Sequence, residues 1–251
     1  MTHPMTLPGP TPPLERETLS PLRGKQPTMV APRLFGCLLA DPPWTYVTWS
    51  PGEGKRASDH YQTQDIDWIC SLPVSDIAAK DSTLLLWATI PNLPEAFRVI
   101  EAWEFRYKSA IPWLKMSRAG CPRMGIGYHA RSCMEVLLIA NRGEARAPET
   151  NRRPLGVIVE PEEVMPVIFN PIGAHSRKPS AQYEIAEGYS GPHVEIFARP
   201  RPDGLFPWQR PGWVHLGNEV DGLDMREALL RLATSASSLS SLPAEGKGNG
   251  E

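Results

Sequence analysis

Leu34-Phe35-Gly36-Cys37-Leu38-Leu39-Ala40-Asp41-Pro42-Pro43-Trp44 is the stretch on which the reading of this chain turns. Seven apolar or small residues in a row suit a strand buried on both faces, as in a parallel sheet. Pro42 and Pro43 must stop it, because neither has a backbone N–H to give to a ladder. A carboxylate, two rigid backbone carbonyls and an aromatic ring are thus presented together at the carboxyl end of a strand. Open α/β sheets hold their ligands there. The arrangement suits holding a flat, amino-bearing ring beside a reactive group. It equally suits a proline-stopped strand whose Asp starts a turn. With 28 prolines in 251 residues, the four residues alone leave both readings open.

Composition narrows the field. Residues 1–30 are rich in Pro, Thr, Gly and Ser without apolar periodicity, and residues 223–251 read as a short helix followed by a Ser- and Gly-rich tail. Neither end has the apolar surface to offset its ordering entropy. Residues 31–222 are then the expected domain, a comfortable size for one core. Cys37, Cys70, Cys121 and Cys133 lie far apart with no Cys-x-x-Cys pair, so neither a zinc site nor a disulfide framework is indicated. No signal-peptide pattern is visible and the apolar runs fall short of the ~20 residues of a membrane span. A cytoplasmic protein with no membrane partner is the expectation. The net charge of −2 argues against indiscriminate coating of nucleic acid. From Arg98 to Arg153, however, 11 Lys or Arg face 5 Glu. That local excess fits either a phosphate-binding face or ordinary solvated surfaces.

Strand-like runs occur at Leu34–Ala40, Thr83–Ala88, Lys108–Leu114, Glu135–Ala140, Val164–Phe169 and His193–Arg199. Helical patterns lie between several of them. Asp65–Ile77 is cut short by Pro73, Asn92–Ala102 has an Asn92 cap with Glu95 three residues on, and Lys178–Gly188 carries Pro179 in its first turn. Alternating strands and helices predict an α/β domain built on a largely parallel sheet. Three polar, Gly- or Arg-bearing loops, Val47–Thr63, Met116–Ala130 and Asn141–Pro154, are long enough to carry function.

An ordered series of short motifs comes after the opening turn. It comprises His60-Tyr61, Leu84-Leu85-Leu86-Trp87-Ala88-Thr89, Trp103-Glu104-Phe105, Trp113-Leu114-Lys115, Gly127-Tyr128, Arg131-Ser132 and Glu135-Val136-Leu137-Leu138. It continues with His175-Ser176-Arg177-Lys178-Pro179, Glu195-Ile196-Phe197-Ala198-Arg199, Gly212-Trp213 and Gly217-Asn218-Glu219. In order and spacing the series resembles the MT-A-seventy family over roughly Arg33 to Asp221, about three quarters of the chain. Those proteins are S-adenosyl-L-methionine-dependent methyltransferases acting on the exocyclic amino group of adenine. The resemblance implies a Rossmann-like class I methyltransferase sheet with helices on both faces and permuted motifs, the catalytic turn preceding the cofactor strand. It also accounts for the lack of a Gly-x-Gly-x-x-Gly element.

What the resemblance implies for single residues can be stated in turn. Asp41, Pro42, Pro43 and Trp44 form the catalytic turn: the carboxylate and the Pro42 carbonyl receive the amino group, Pro43 fixes the turn and Trp44 stacks on the base. Tyr46, Tyr61, Lys115 and Arg131 are expected at the substrate. Lys178 is expected at the carboxylate end of the cofactor, Phe197 by its adenine, Arg199 and Asn218 at its ribose and Glu219 close by, with Asp41 bordering the same site. Trp87 and Trp103 lie on apolar stripes and are expected in the core. Nothing calls for a metal. Two departures stand out. Gln26–Leu34 has no acidic residue where the family carries a cofactor contact, and Pro200-Arg201-Pro202-Asp203 replaces a polar pair, leaving Asp203 as the substitute.

The expected partner is nucleic acid. DNA is favoured over RNA, because the chain is short and lacks a Cys/His-finger RNA module, in keeping with a bacterial or phage-type member working in a bacterial cell or phage-infected host. Other readings are the same reaction on RNA, a catalytically silent nucleic-acid-binding partner, and methylation of cytosine or a protein amide. The intact Asp-Pro-Pro-Trp speaks against a silent partner.

Overall fold

A computed structural model of the protein describes residues 35–45, 64–116, 121–122, 130–149, 158–161, 178–200 and 210–240. In chain order its elements are β1 (Phe35–Ala40), α1 (Ile66–Cys70), a 3-10 turn at Val74–Asp76, β2 (Ala78–Thr89), a second at Ile90–Asn92, α2 (Leu93–Ala102), β3 (Arg106–Met116), β4 (Met134–Arg142), β5 (Ile158–Pro161), α3 (Ala181–Glu187), β6 (His193–Ile196), β7 (Trp213–Leu216), α4 (Asn218–Asp221) and α5 (Met225–Ser240). The strands form one seven-stranded sheet in the order β5-β3-β4-β2-β1-β6-β7. Every neighbour pair is parallel except the two that involve β4, which runs against β2 and β3.

β1 is central because its run of apolar residues can be buried on both faces. Leu38 and Ala40 join one core with Leu84, Leu86 and Ala88 of β2 and residues of α1, α2 and α5. Cys37 and Leu39 join the other with Leu85, Trp87, Ile111, Trp113 and Tyr183 of α3. Helices therefore cover both faces, as the α/β reading requires. Burial drives the Cys37 thiol pKa far up, which makes it inert filling. On one side of β1 lies β2, the next strand in sequence; on the other lies β6, which arrives late. That reversal is a topological switch point, and open α/β sheets place their ligands at the carboxyl ends of such strands, here β1 and β6.

Several elements differ from expectation. The strand expected at Val164–Phe169 lies outside the described residues, as do residues 46–63 with Tyr46 and Tyr61, and Asp203. β5 and β7 are too short and mixed for periodicity to reveal. β6 ends at Ile196 rather than Arg199 because Phe197 turns to φ 65, a left-handed conformation that costs a non-glycine residue of order 1–3 kcal/mol. Asn92 precedes α2 as foreseen but makes no side-chain capping bond. It belongs to a 3-10 turn with φ −97 and ψ 14, away from the extended conformation in which a cap side chain reaches back to the first turn.

The segment after Gly222 also differs. Asp224 caps α5 by accepting the N–H groups of Arg226 and Glu227, and Met225, Ala228 and Leu229 are buried in the core that also holds α1 and α2. Arg226 donates to the Ser71 carbonyl at 2.9 Å. The helix then continues to Ser240 through the Ser-rich stretch, with Thr234 and Ser235 bonding back one turn to Leu230 and Arg231. The domain therefore extends past residue 222. Leu229→Ala should destabilise the protein by about 2–5 kcal/mol, whereas exposed Leu230→Ala should stay within about 0.5 kcal/mol. Urea unfolding of both variants checks this.

Candidate active site

Asp41 is the first residue beyond β1, and the pleat places it on the face shared by Cys37 and Leu39. The prolines shape the turn behind it. Trp44 N–H donates to the Pro42 carbonyl at 2.8 Å, a three-residue turn, and Gln64 N–H donates to the Pro43 carbonyl at 3.0 Å. The Pro42 oxygen so keeps one lone pair for another donor.

Beside Asp41 stands Lys178, just ahead of α3. Its Nζ is 3.0 Å from Asp41 Oδ2 and 2.9 Å from Glu135 Oε2. Glu135 Oε1 in turn is 2.7 Å from Lys115 Nζ. The order Lys115–Glu135–Lys178–Asp41 alternates in sign and runs across the sheet. These side chains are mostly withdrawn from water: Lys115 is 17% exposed, Glu135 10%, Lys178 14% and Asp41 31%. Trp87 and Trp113 form the floor, with the Lys178 ammonium 5.6 Å from the Trp87 ring centre and that of Lys115 5.1 Å from Trp113.

The antiparallel β4 explains how Glu135 reaches this place. Its first residues lie level with the last residues of the parallel strands, Glu135 being paired with Thr89 of β2 and Trp113 of β3. Exposed Arg131 precedes β4 at the same end. Thr89 sits across from Glu135, and its buried hydroxyl has no hydrogen-bond partner among the described residues. An orphaned polar atom at the edge of a charged crevice fits a ligand's polar group.

Burial opposes the charge on Lys178, but the carboxylates of Asp41 and Glu135 outweigh it and raise the ammonium pKa above its usual 10.5. Burial likewise pushes Glu135 upward, and the two lysines more than reverse that, holding it below its usual 4.5.

Other expected site residues gather at the same end of the sheet. Ile196 pairs with Ala40, so Phe197 follows β6 where Asp41 follows β1. Phe197 is half-buried, 6.5 Å from Trp68, and Arg199 beyond it is exposed. Asn218 and Glu219, both exposed, open α4 after Gly217. A Cβ on Gly217 would run into the Ala198 carbonyl oxygen, so glycine alone lets the end of β7 lie against the end of β6. Beneath them Glu195 and His215, opposite each other in register, are joined at 2.8 Å, and Tyr183 donates to the same carboxylate. Among the described residues no cluster of three His, Cys, Asp or Glu is set to hold a metal, and no helix is long and apolar enough to cross a membrane.

Trp44 is where the structure departs most from expectation. It is 4% exposed and packed in the core with α1 and α2, and its indole N–H donates to the Trp87 carbonyl at 3.0 Å. Ring and N–H are thus both engaged. Trp44 anchors the turn to β2 instead of offering a stacking face. Trp87 and Trp103 are fully buried, as expected, and donate to Gln182 and Ile69.

Comparison with known proteins places this geometry. A model of the MT-A70 family matches residues 35–219. The chain belongs to the MT-A70 family. It is similar to the N(6)-adenine-specific methyltransferase METTL4 of Homo sapiens, with 24% identity over 217 residues, 83% of this chain and 42% of that protein. It is also similar to the type II methyltransferase M.MunI of Mycoplasma sp, 28% identical over 196 residues, 69% of this chain and 76% of that one. A third relative is the N6-methyladenosine RNA methyltransferase MTA1 of Cryphonectria parasitica, 26% identical over 188 residues, 70% and 51% of the two chains. The chain thus spans less than half of METTL4.

Within this MT-A70 domain, Glu135 is the site residue that strand-end reasoning passed over. Its signals are an acidic residue heading an otherwise apolar strand and its place in the motif Glu135-Val136-Leu137-Leu138. Because its pKa is lowered, Glu135 stabilises the fold fully above pH 4.5, and that contribution is lost as pH falls through its folded value. Lys178, raised, contributes fully below pH 10.5 and loses its share as pH climbs through its own folded value. Glu135→Gln should therefore flatten the decline in thermal stability below pH 4.5, as melting curves across acid pH will measure.

Proposed function

We propose that this chain is an S-adenosyl-L-methionine-dependent methyltransferase that modifies the exocyclic amino nitrogen of adenine in DNA. The observation that carries the reading is Asp41, paired at 3.0 Å with a mostly buried lysine at the carboxyl end of β1, beside the β1/β6 switch point.

The adenine amino group is a poor nucleophile because its lone pair is delocalised into the ring. Asp41 Oδ2 is taken by Lys178, which leaves Oδ1 to accept one amino N–H. The free lone pair of the Pro42 carbonyl accepts the other. Two acceptors placed this way favour a pyramidal nitrogen with its lone pair available. The cofactor supplies an electrophilic methyl group on a sulfonium. With the cofactor bound, the Asp41 carboxylate would face the amino nitrogen as it gains positive charge, and the surplus amino proton would pass to water. Asp41 acts through position and charge and needs no strong basicity.

The residues present suit the cofactor. Arg199 and Asn218 offer polar groups for the ribose, with Glu219 close by; Phe197 offers a ring for its adenine; Lys178 has a third N–H for its carboxylate end. On the substrate side, a base flipped from a duplex costs a few kcal/mol to extrude. Tyr46 and Tyr61 are the rings proposed to stack on it, worth about 1–3 kcal/mol each, and Arg131 is proposed to meet the backbone. A cytoplasmic setting is proposed along with DNA as the partner. DNA is supported by the large overlap with a relative named as a type II methyltransferase. RNA is the second reading, because a relative named as an RNA methyltransferase matches 70% of this chain.

The test supplies labelled S-adenosyl-L-methionine with DNA and RNA in parallel, followed by mass spectrometry of the nucleosides. N6-methyladenine from DNA is expected. Methyl on RNA adenine alone would move the assignment to the second reading, and methyl on neither would remove it. Asp41→Ala should lower kcat by about 10²–10³-fold or more; full activity in that variant would refute the mechanism even with the product confirmed.

A further inference from the structure

Lys115 was expected to grip the substrate, yet the structure gives it inward-facing contacts. Its ammonium lies 2.7 Å from Glu135 Oε1 and 5.1 Å from the Trp113 ring centre, at 17% exposure. Glu135 uses its other oxygen for Lys178, and Lys178 holds Asp41. We propose that Lys115 is a positioning residue of the catalytic centre, acting on Asp41 through Glu135 and Lys178, and is not a phosphate grip. The inference rests on the methyltransferase reading above and deepens it.

Three arguments support it. A carboxylate held by one cation can rotate; held by a separate cation on each oxygen, it is fixed. Lys115 therefore determines which way Glu135 presents Oε2, and so where Lys178 stands. Second, without Lys115 the remaining array has two carboxylates and one ammonium in little water, and Glu135 would protonate more readily and loosen its hold on Lys178. Among the described residues, the charged groups facing Glu135 are Lys115 from β3 and Lys178 from ahead of α3, with Asp41 from β1 beyond. Third, a substrate phosphate would have to draw Lys115 off a carboxylate it already meets at ion-pair distance.

The experiment compares wild type, Lys115→Met, Lys115→Arg and the double variant Lys115→Met/Glu135→Gln. DNA affinity is measured against salt without cofactor, and kcat against pH with it. Lys115→Met should leave the salt slope unchanged and lower kcat roughly ten- to hundredfold, with the acid limb of the kcat profile moved to higher pH. Lys115→Arg should restore most of both. A salt slope shallower by about 0.9 with kcat retained would overturn the proposal. Should Lys115→Met fail to fold, the double variant, which loses one charge of each sign, is read by its slope alone: unchanged supports, shallower overturns. If wild type transfers no methyl group, the functional reading falls by itself. The positioning claim is then decided by NMR titration of the Glu135 carboxyl, whose midpoint must rise in Lys115→Met; an unmoved midpoint overturns it.

Discussion

The pairing of Lys178 with Asp41 and Glu135 is the interaction on which the site depends. Either carboxylate alone, withdrawn from water, would be costly to keep charged. A shared ammonium makes both tenable, and removing one member of such a buried group typically costs about 3–5 kcal/mol, because an unpaired charge is left behind. The pairing also joins distant parts of the chain. Lys178 comes from the approach to α3, Asp41 from the end of β1 and Glu135 from the start of β4. The three meet only when the sheet is complete, so the charge state of the site reports on the whole fold.

The sheet order is what makes that meeting possible. With β4 reversed between β2 and β3, the head of one strand lies beside the tails of two others. A parallel strand in that position would carry Glu135 to the opposite edge of the sheet. On the other flank of β1, the late arrival of β6 brings Phe197 and Arg199 level with Asp41, and Gly217 lets β7 close in behind them. Early chain supplies the carboxylate and late chain the polar rim. The crevice between them is the reason the motifs can stand so far apart in sequence and still act together.

How much of this was legible depends on whether a feature is local. β1 and its stop could be read directly, since burial on both faces requires a continuous apolar run and proline cannot pair. The α/β class and the sheet-end placement of Asp41 followed from it. The direction of β4 could not be read, because an apolar strand looks the same run either way, and Glu135 was passed over for that reason. The burial of Trp44 was equally hidden: an indole after two prolines fits a base or a core, and only the Trp87 carbonyl within reach of its N–H decides. The Ser-rich end of α5 misled for a different reason. Its polar side chains gave no periodicity, while the packing that holds the helix comes from Met225, Ala228 and Leu229 at its start.

The alternation of charge along the array has a chemical consequence on the methyl-transfer reading. On that reading the amino nitrogen would gain positive charge, so the group nearest it should be negative. Asp41 provides this, but a lysine behind it, 3.0 Å from its Oδ2, would take back part of the benefit by repelling the growing cation from farther away. Glu135 offsets that repulsion by sharing the same ammonium, and Lys115 keeps Glu135 ionised and oriented. From the nitrogen outward, the signs run negative, positive, negative, positive, and each group partly cancels the one behind it. The field at the reacting atom is then dominated by the nearest carboxylate, while the four named side chains carry no net formal charge, which suits groups mostly withdrawn from water.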